Sequence, residues 1–163
     1  MIPLSDRQIA AYFQRSFTAV DGLWFMKLEE RADFETALQV DEAVWRIMPK
    51  IQARKLKELT GLTAGMDALR ECFTTKLSIE DYAFDLASNA DGFEISIADC
   101  PWVNLLVRSN RQHLADTIGR TICTAEHAVW ASEFGDTIRF EFGERLCAGC
   151  PRCVLRFRET RPT

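Results

Sequence analysis

Tyr82-Ala83-Phe84-Asp85-Leu86 and Phe93-Glu94-Ile95-Ser96-Ile97, joined through Asn89-Ala90-Asp91-Gly92, decide the fold of this chain. Both runs alternate in the period of a half-buried strand, and the residues between them are turn formers, so the stretch predicts a β-hairpin. Upstream the period is helical. Ser5 and Asp6 are candidate N-caps, and Ile9, Tyr12, Phe13, Phe17 and Val20 recur at helical spacing. Residues 23–31 continue that helix or begin another after Gly22. Over residues 34–59, Leu38, Val44, Trp45, Ile47, Met48, Ile51 and Leu56 mark an apolar stripe, with a kink or break expected at Pro49. Thr60-Gly61 reads as a stop, and residues 66–77 as a further helix with Leu69, Phe73 and Leu77 on one face.

Downstream of the hairpin, residues 102–134 read as helix broken around Arg108-Ser109-Asn110, followed by strands at 137–142 and 154–158. The predicted fold is α+β: N-terminal helices, then an antiparallel sheet in ββααββ order with helices packed on one face. One domain is expected over residues 1–163, with a helical part at 1–78 and the ββααββ part at 79–159. Residues 160–163 read as a loose tail. The sheet would have edge strands that a second copy could cover, so a homodimer is open.

Composition narrows the function. The chain has 163 residues, 47% apolar and 27% charged, values ordinary for a soluble globular domain. A formal charge of −4 argues against a nucleic-acid partner, which favours a basic face. No apolar run approaches the roughly 18 residues of a membrane span. Met1-Ile2-Pro3-Leu4-Ser5-Asp6-Arg7 does not read as a secretory signal, so a cytoplasmic location with reduced thiols is expected.

The chemistry is concentrated in cysteine. Five of the six cysteines lie from Cys100 onward, three of them in Cys147-Ala148-Gly149-Cys150-Pro151-Arg152-Cys153. Thiols crowded around Gly and Pro suit a soft or borderline metal, zinc or, alternatively, iron or an iron–sulfur cluster. In the expected fold Cys100 ends a strand, Cys123 lies on the next helix, and Cys147 and Cys153 flank the last hairpin turn. Those four are the preferred ligand set. Cys150 could replace one of them or stand nearby as a reactive thiol, and a Cys-x2-Cys pair within the run is an alternative half-site. The competing reading is a set of ordinary buried cysteines, which is the reading preferred for Cys72 beside Phe73. His127, one helical turn after Cys123, could be a ligand, an outer group tuning the site, or a half-exposed surface residue. His113 reads as solvated.

A second group pairs acids with aromatics on helices: Asp21 to Glu30, and Asp41-Glu42-Ala43-Val44-Trp45-Arg46. Trp24 and Trp45 could line an apolar pocket for a small organic ligand, with Glu29 and Asp41 facing it as general acid and base. The alternative is an amphipathic pair with aromatics inside and carboxylates in water. Lys50, Arg54, Lys55 and Lys57 read as a solvated face. No phosphate loop, nucleophile elbow or His-Glu-x-x-His occurs.

Residues 82–159, through Cys123, Leu146-Cys147-Ala148-Gly149 and Cys153-Val154-Leu155-Arg156-Phe157, resemble the 4-vinyl-reductase-like ligand-binding domain. Residues 23–30, Asp41-Glu42-Ala43-Val44-Trp45 and Cys100-Pro101-Trp102 resemble a group of small uncharacterised bacterial and archaeal proteins related to L-2-amino-thiazoline-4-carboxylate hydrolases. The resemblance implies an α+β fold with a metal or small-molecule site, supports Cys100, Cys123, Cys147 and Cys153, and leaves Cys150 as an addition. Three functions follow as expectations: a metal-binding sensor or carrier of a small molecule, a metal-assisted hydrolase of a cyclic amide or thiazoline, and a structural zinc domain that binds a protein.

Overall fold

The computed structural model describes residues 2–160. Six helices and four strands follow in the order α1 (Asp6–Arg31), α2 (Phe34–Trp45), α3 (Met48–Thr60), α4 (Met66–Ile79), β1 (Phe84–Asn89), β2 (Gly92–Ile97), α5 (Pro101–Arg108), α6 (Ala115–Phe134), β3 (Ile138–Phe142) and β4 (Cys153–Glu159). The fold is α+β. The chain forms two compact units, Met1–Asp41 and Glu42–Thr163, that meet inside the sequence of α2. Of the expected tail, residues 161–163 lie outside the described residues; the Thr160 amide donates to the Thr137 carbonyl at 2.9 Å.

In the Met1–Asp41 unit, α1 starts at a capping box. The Ser5 hydroxyl accepts from the Gln8 amide while the Gln8 side chain accepts from the Ser5 amide. The helix runs unbroken through Gly22, because one helical glycine costs only about 1 kcal/mol and 26 residues absorb it. Phe25 meets Phe34 edge-on, with ring centroids 5.9 Å apart, at the turn into α2.

In the Glu42–Thr163 unit, Pro49 breaks the stripe expected over residues 34–59. It occupies the first turn of α3, where its missing donor is harmless, and α2 stops before it at Trp45. The sheet is antiparallel throughout, in the order β1-β2-β4-β3. One face is apolar. Phe93, Phe157 and Phe140 fall in register across three strands, with Phe93 and Phe157 stacked at 4.9 Å. Phe73 from α4 stands 5.0 Å from Phe157, and Trp130 from α6 stands 5.3 Å from Phe73. Cys72 is fully buried in this core, as expected. The opposite face is polar: Glu94, Arg156 and Glu141 share one row, and Arg156 Nε reaches Glu94 at 2.6 Å. Two-sided contrast of this kind produces the alternation seen in the sequence.

The expected solvated face on α3 does more than face water. Arg54 forms a two-pronged pair with Glu133 at 3.0 Å, and Lys57 donates to the Glu133 carbonyl while lying 4.4 Å over the Phe134 ring. These contacts tie α3 to the end of α6.

Candidate metal centre

The inward face of the sheet ends at Ile97, which is paired with Cys153. The exit from β2 and the β3–β4 loop meet at this end of the sheet. The chain leaves β2, and Cys100 takes the N-cap position of α5 with Pro101 in the first turn. β3 and β4 are joined by a loop clamped at its neck, where the Gly143 amide donates to Val154 O at 2.8 Å and the Val154 amide to Glu144 O at 2.9 Å. Inside the loop, a short turn at Leu146–Ala148 ends on Gly149 at φ 86°, a conformation that favours glycine. Asp116 in the first turn of α6 holds the loop through Arg145 at 3.3 Å.

α6 crosses the loop at Gly119. A Cβ there would stand 2.7 Å from Cys147 Sγ and 3.0 Å from Cys147 Cβ, so a larger residue would push the Cys147 side chain aside. One turn further along α6 comes Cys123, followed on the same side by Glu126.

Cys100, Cys123, Cys147 and Cys153 are close enough to act on one another electrostatically. Burial pushes each of these thiols above its ordinary range, Cys153 to about 11, and their neighbours add to it: Cys123 feels Glu126 and then Cys100, Cys147 and Cys153. Against this stand groups that favour the thiolate. The amides of Val103 and Trp102 and the Tyr82 phenol oppose the rise at Cys100, although no hydrogen bond caps α5 through the Cys100 side chain. The amides of Leu146, at 3.2 Å, and Cys147 are directed at Cys153, and Arg145 lies beside Cys147. Cys150, one residue past the left-handed glycine, returns its amide to Arg145 O. All six cysteines are free thiols. Among the described residues, no group of three or more His, Cys, Asp or Glu stands where it could hold a metal ion.

Beside the thiols lies a buried charge network that sequence reasoning missed. Lys76 on α4 pairs with Glu126 at 2.9 Å and with Glu80 at 2.9 Å. Burial alone would pull the Lys76 ammonium down, but the two carboxylates outweigh it and hold it above its usual value. Burial likewise pushes Glu126 up, and Lys76 followed by His127 reverses the direction. Tyr82 is held far above the usual phenol range by burial and then by Cys100. The one available signal for the network was Lys76 and Glu80 at i,i+4, which on a helix reads first as a surface pair.

His127 is neither half-exposed nor placed among the four thiols. It is buried, with its ring 4.8 Å from Phe140, 5.5 Å from Phe73 and 5.9 Å from Phe142, and burial drives its pKa down to about 4. His113 is exposed, as expected. The residues expected to form an acid–aromatic pocket are distributed as follows. Trp24 lies on α1 and is exposed, Glu29 is half-buried on the same helix, and Asp41 is half-buried on α2. Trp45 is buried and meets Trp102 of α5 edge-on at 6.0 Å. Trp24, Glu29 and Asp41 belong to the Met1–Asp41 unit, and the thiols to the other. The carboxylate that follows Cys123 on α6 by three residues is Glu126.

The model of a family of unknown function, DUF6125, matches residues 6–153. The chain belongs to this family. The span shared with the DUF6125 model begins at the first residue of α1 and ends at Cys153, so it takes in all six cysteines. No curated protein matches the chain.

Proposed function

We propose that this DUF6125 chain is a metal-binding domain that holds a thiophilic ion, zinc or iron, through Cys100, Cys123, Cys147 and Cys153, and that it works as a sensor or carrier of a small molecule. The observation that carries the reading is the gathering of Cys100, Cys123, Cys147 and Cys153 within electrostatic reach of one another, with the Leu146 amide donating to Cys153 Sγ at 3.2 Å. A neutral thiol needs few acceptor contacts, whereas a thiolate held for a metal is stabilised by donors of this kind. The chemistry of the donor set agrees: four sulfurs and no imidazole among them suit Zn2+ or iron and disfavour the hard ions Mg2+ and Ca2+. A bound ion would pin the start of α5, the middle of α6 and the β3–β4 loop to one point, supplying the cross-link that none of these connections makes by itself.

The sensing part of the reading rests on α4. This helix sends Lys76 to Glu126, three residues from Cys123, and its Thr74, Thr75, Ser78 and Ile79 line a shallow open cleft beside Phe84 and Leu86 of β1. Its mixture of hydroxyls, which donate to helix carbonyls and keep lone pairs to accept, and apolar groups suits a small organic molecule of mixed polarity. α4 and the Lys76–Glu126 pair thus form a continuous physical connection between cleft and thiols.

Cobalt(II) titration of the reduced, metal-free protein tests the reading. Binding through four thiolates gives intense sulfur-to-cobalt absorption and tetrahedral visible bands. Serine at any one of the four positions weakens both, and serine at Cys150 changes neither. Octahedral, weakly coloured cobalt in the unmodified protein would refute it.

A further inference from the structure

α1 buries none of its 26 residues. A helix in water owes most of its stability to an apolar face packed on something. Here Ile9, Tyr12, Phe13, Val20, Leu23 and Trp24 are all exposed, with Tyr12 at 66%, Phe13 at 64% and Trp24 at 74%. Ile9, Phe13, Ser16, Val20, Leu23 and Lys27 follow one another in alternating steps of four and three, the spacing of a coiled-coil seam, and Tyr12 and Trp24 stand on its two shoulders.

We propose that this seam is a dimer interface, on which α1 pairs antiparallel with α1 of a second copy about a two-fold axis beside residue 18. Area supports that occupant. A fully covered aromatic side chain buries about 150–250 Å². At their exposures the three aromatics alone would remove roughly 400 Å² per copy, and Ile9, Val20 and Leu23 about half as much again. That is most of the about 800 Å² per partner of a standard interface, before any polar rim is counted.

Charge fixes the orientation. Asp6 precedes the apolar run and Lys27 follows it. Antiparallel pairing sets Phe13 opposite the partner's Leu23 and Ser16 opposite the partner's Val20, and brings each Lys27 within one turn of the partner's Asp6. Parallel pairing would instead set Asp6 against Asp6 and Lys27 against Lys27, at a cost. The two-fold axis makes every contact twice. A lipid surface suits α1 less well, because interfacial helices carry a basic polar face, whereas α1 has four basic residues (Arg7, Arg15, Lys27, Arg31) balanced by four acidic ones (Asp6, Asp21, Glu29, Glu30).

Sedimentation velocity on the full chain tests the proposal. The unmodified protein should sediment as twice 18.6 kDa at micromolar concentration. Phe13→Glu combined with Leu23→Glu should raise the dimer dissociation constant at least about 100-fold, because it buries unpaired carboxylates. Asp6→Lys should weaken the dimer about tenfold, and adding Lys27→Glu should restore it; because each swap by itself disfavours the α1 helix, recovery in the pair reports the contact between copies. A monomer at about 100 μM, or a dimer indifferent to the glutamates, overturns the proposal. So does a monomer that binds phosphatidylglycerol vesicles, which would assign the seam to lipid.

Discussion

Gly119→Ala separates a metal site from a merely thiol-rich loop. The added methyl would lie 2.7 Å from Cys147 Sγ and 3.0 Å from its Cβ, where ordinary contact is about 3.5–4.0 Å. The sulfur must retreat by roughly 1 Å, several times the ±0.2 Å within which a coordination distance holds. Two opposing effects act on the metal-free protein. Alanine in a helix gains about 1 kcal/mol over glycine, and overpacking the loop costs about 1–3 kcal/mol, toward the low end where the neighbour is a side chain in a loop. The net change is within about 1 kcal/mol, or about 2–4 °C in Tm for a chain of this size. Metal binding has no such compensation, and displacing one ligand should weaken it at least about 10–100-fold, the loss typical of even an outer-sphere change. The assay is paired: thermal melts in chelator, and competition for zinc against a chromophoric chelator. If Gly119→Ala keeps full affinity while its metal-free form melts far lower, Cys147 is not a ligand and Gly119 serves packing alone.

Two further outcomes follow from the interior. Lys76→Met strands Glu126 and should cost about 3–5 kcal/mol, roughly 10 °C in Tm, and replacing Glu126 with Met as well should recover most of the loss; a single variant as stable as the parent would show the pair to be solvent-screened. His127 has a folded pKa of about 4 against 6.5 in the unfolded chain. Because the unfolded state binds the proton first, His127 contributes its stability above pH about 6.5 and loses it as pH falls towards 4, by roughly 3 kcal/mol in all. His127→Phe, which suits its aromatic neighbours, should flatten chemical-denaturation stability across that window, and a variant with the parent's full pH slope would place the titration elsewhere.

The sheet was legible because its two faces differ. Phe93, Ile95 and Ile97 point inward while Glu94 and Ser96 point out, and a period of two survives in the sequence only under that contrast. The break at Pro49 was legible for a local steric reason. Lys76 and Glu126 were not legible, since a charged residue at helical spacing reads as solvated until its partner across the core is known. His127 was misplaced for the same reason: its aromatic surroundings come from α4 and β3, more than ten residues away in either direction. The division of the chain within α2 left no mark in composition, there being no linker to read.

The central claim is that four particular sulfurs hold one ion. Metal analysis of the unmodified full chain purified without air, with each cysteine in turn replaced by serine, tests it most directly. The account expects one equivalent of zinc or iron in the parent, a clear loss at Cys100, Cys123, Cys147 and Cys153, and no loss at Cys72 or Cys150. A folded parent that carries no metal, and melts at the same temperature with added zinc as with chelator, would contradict it.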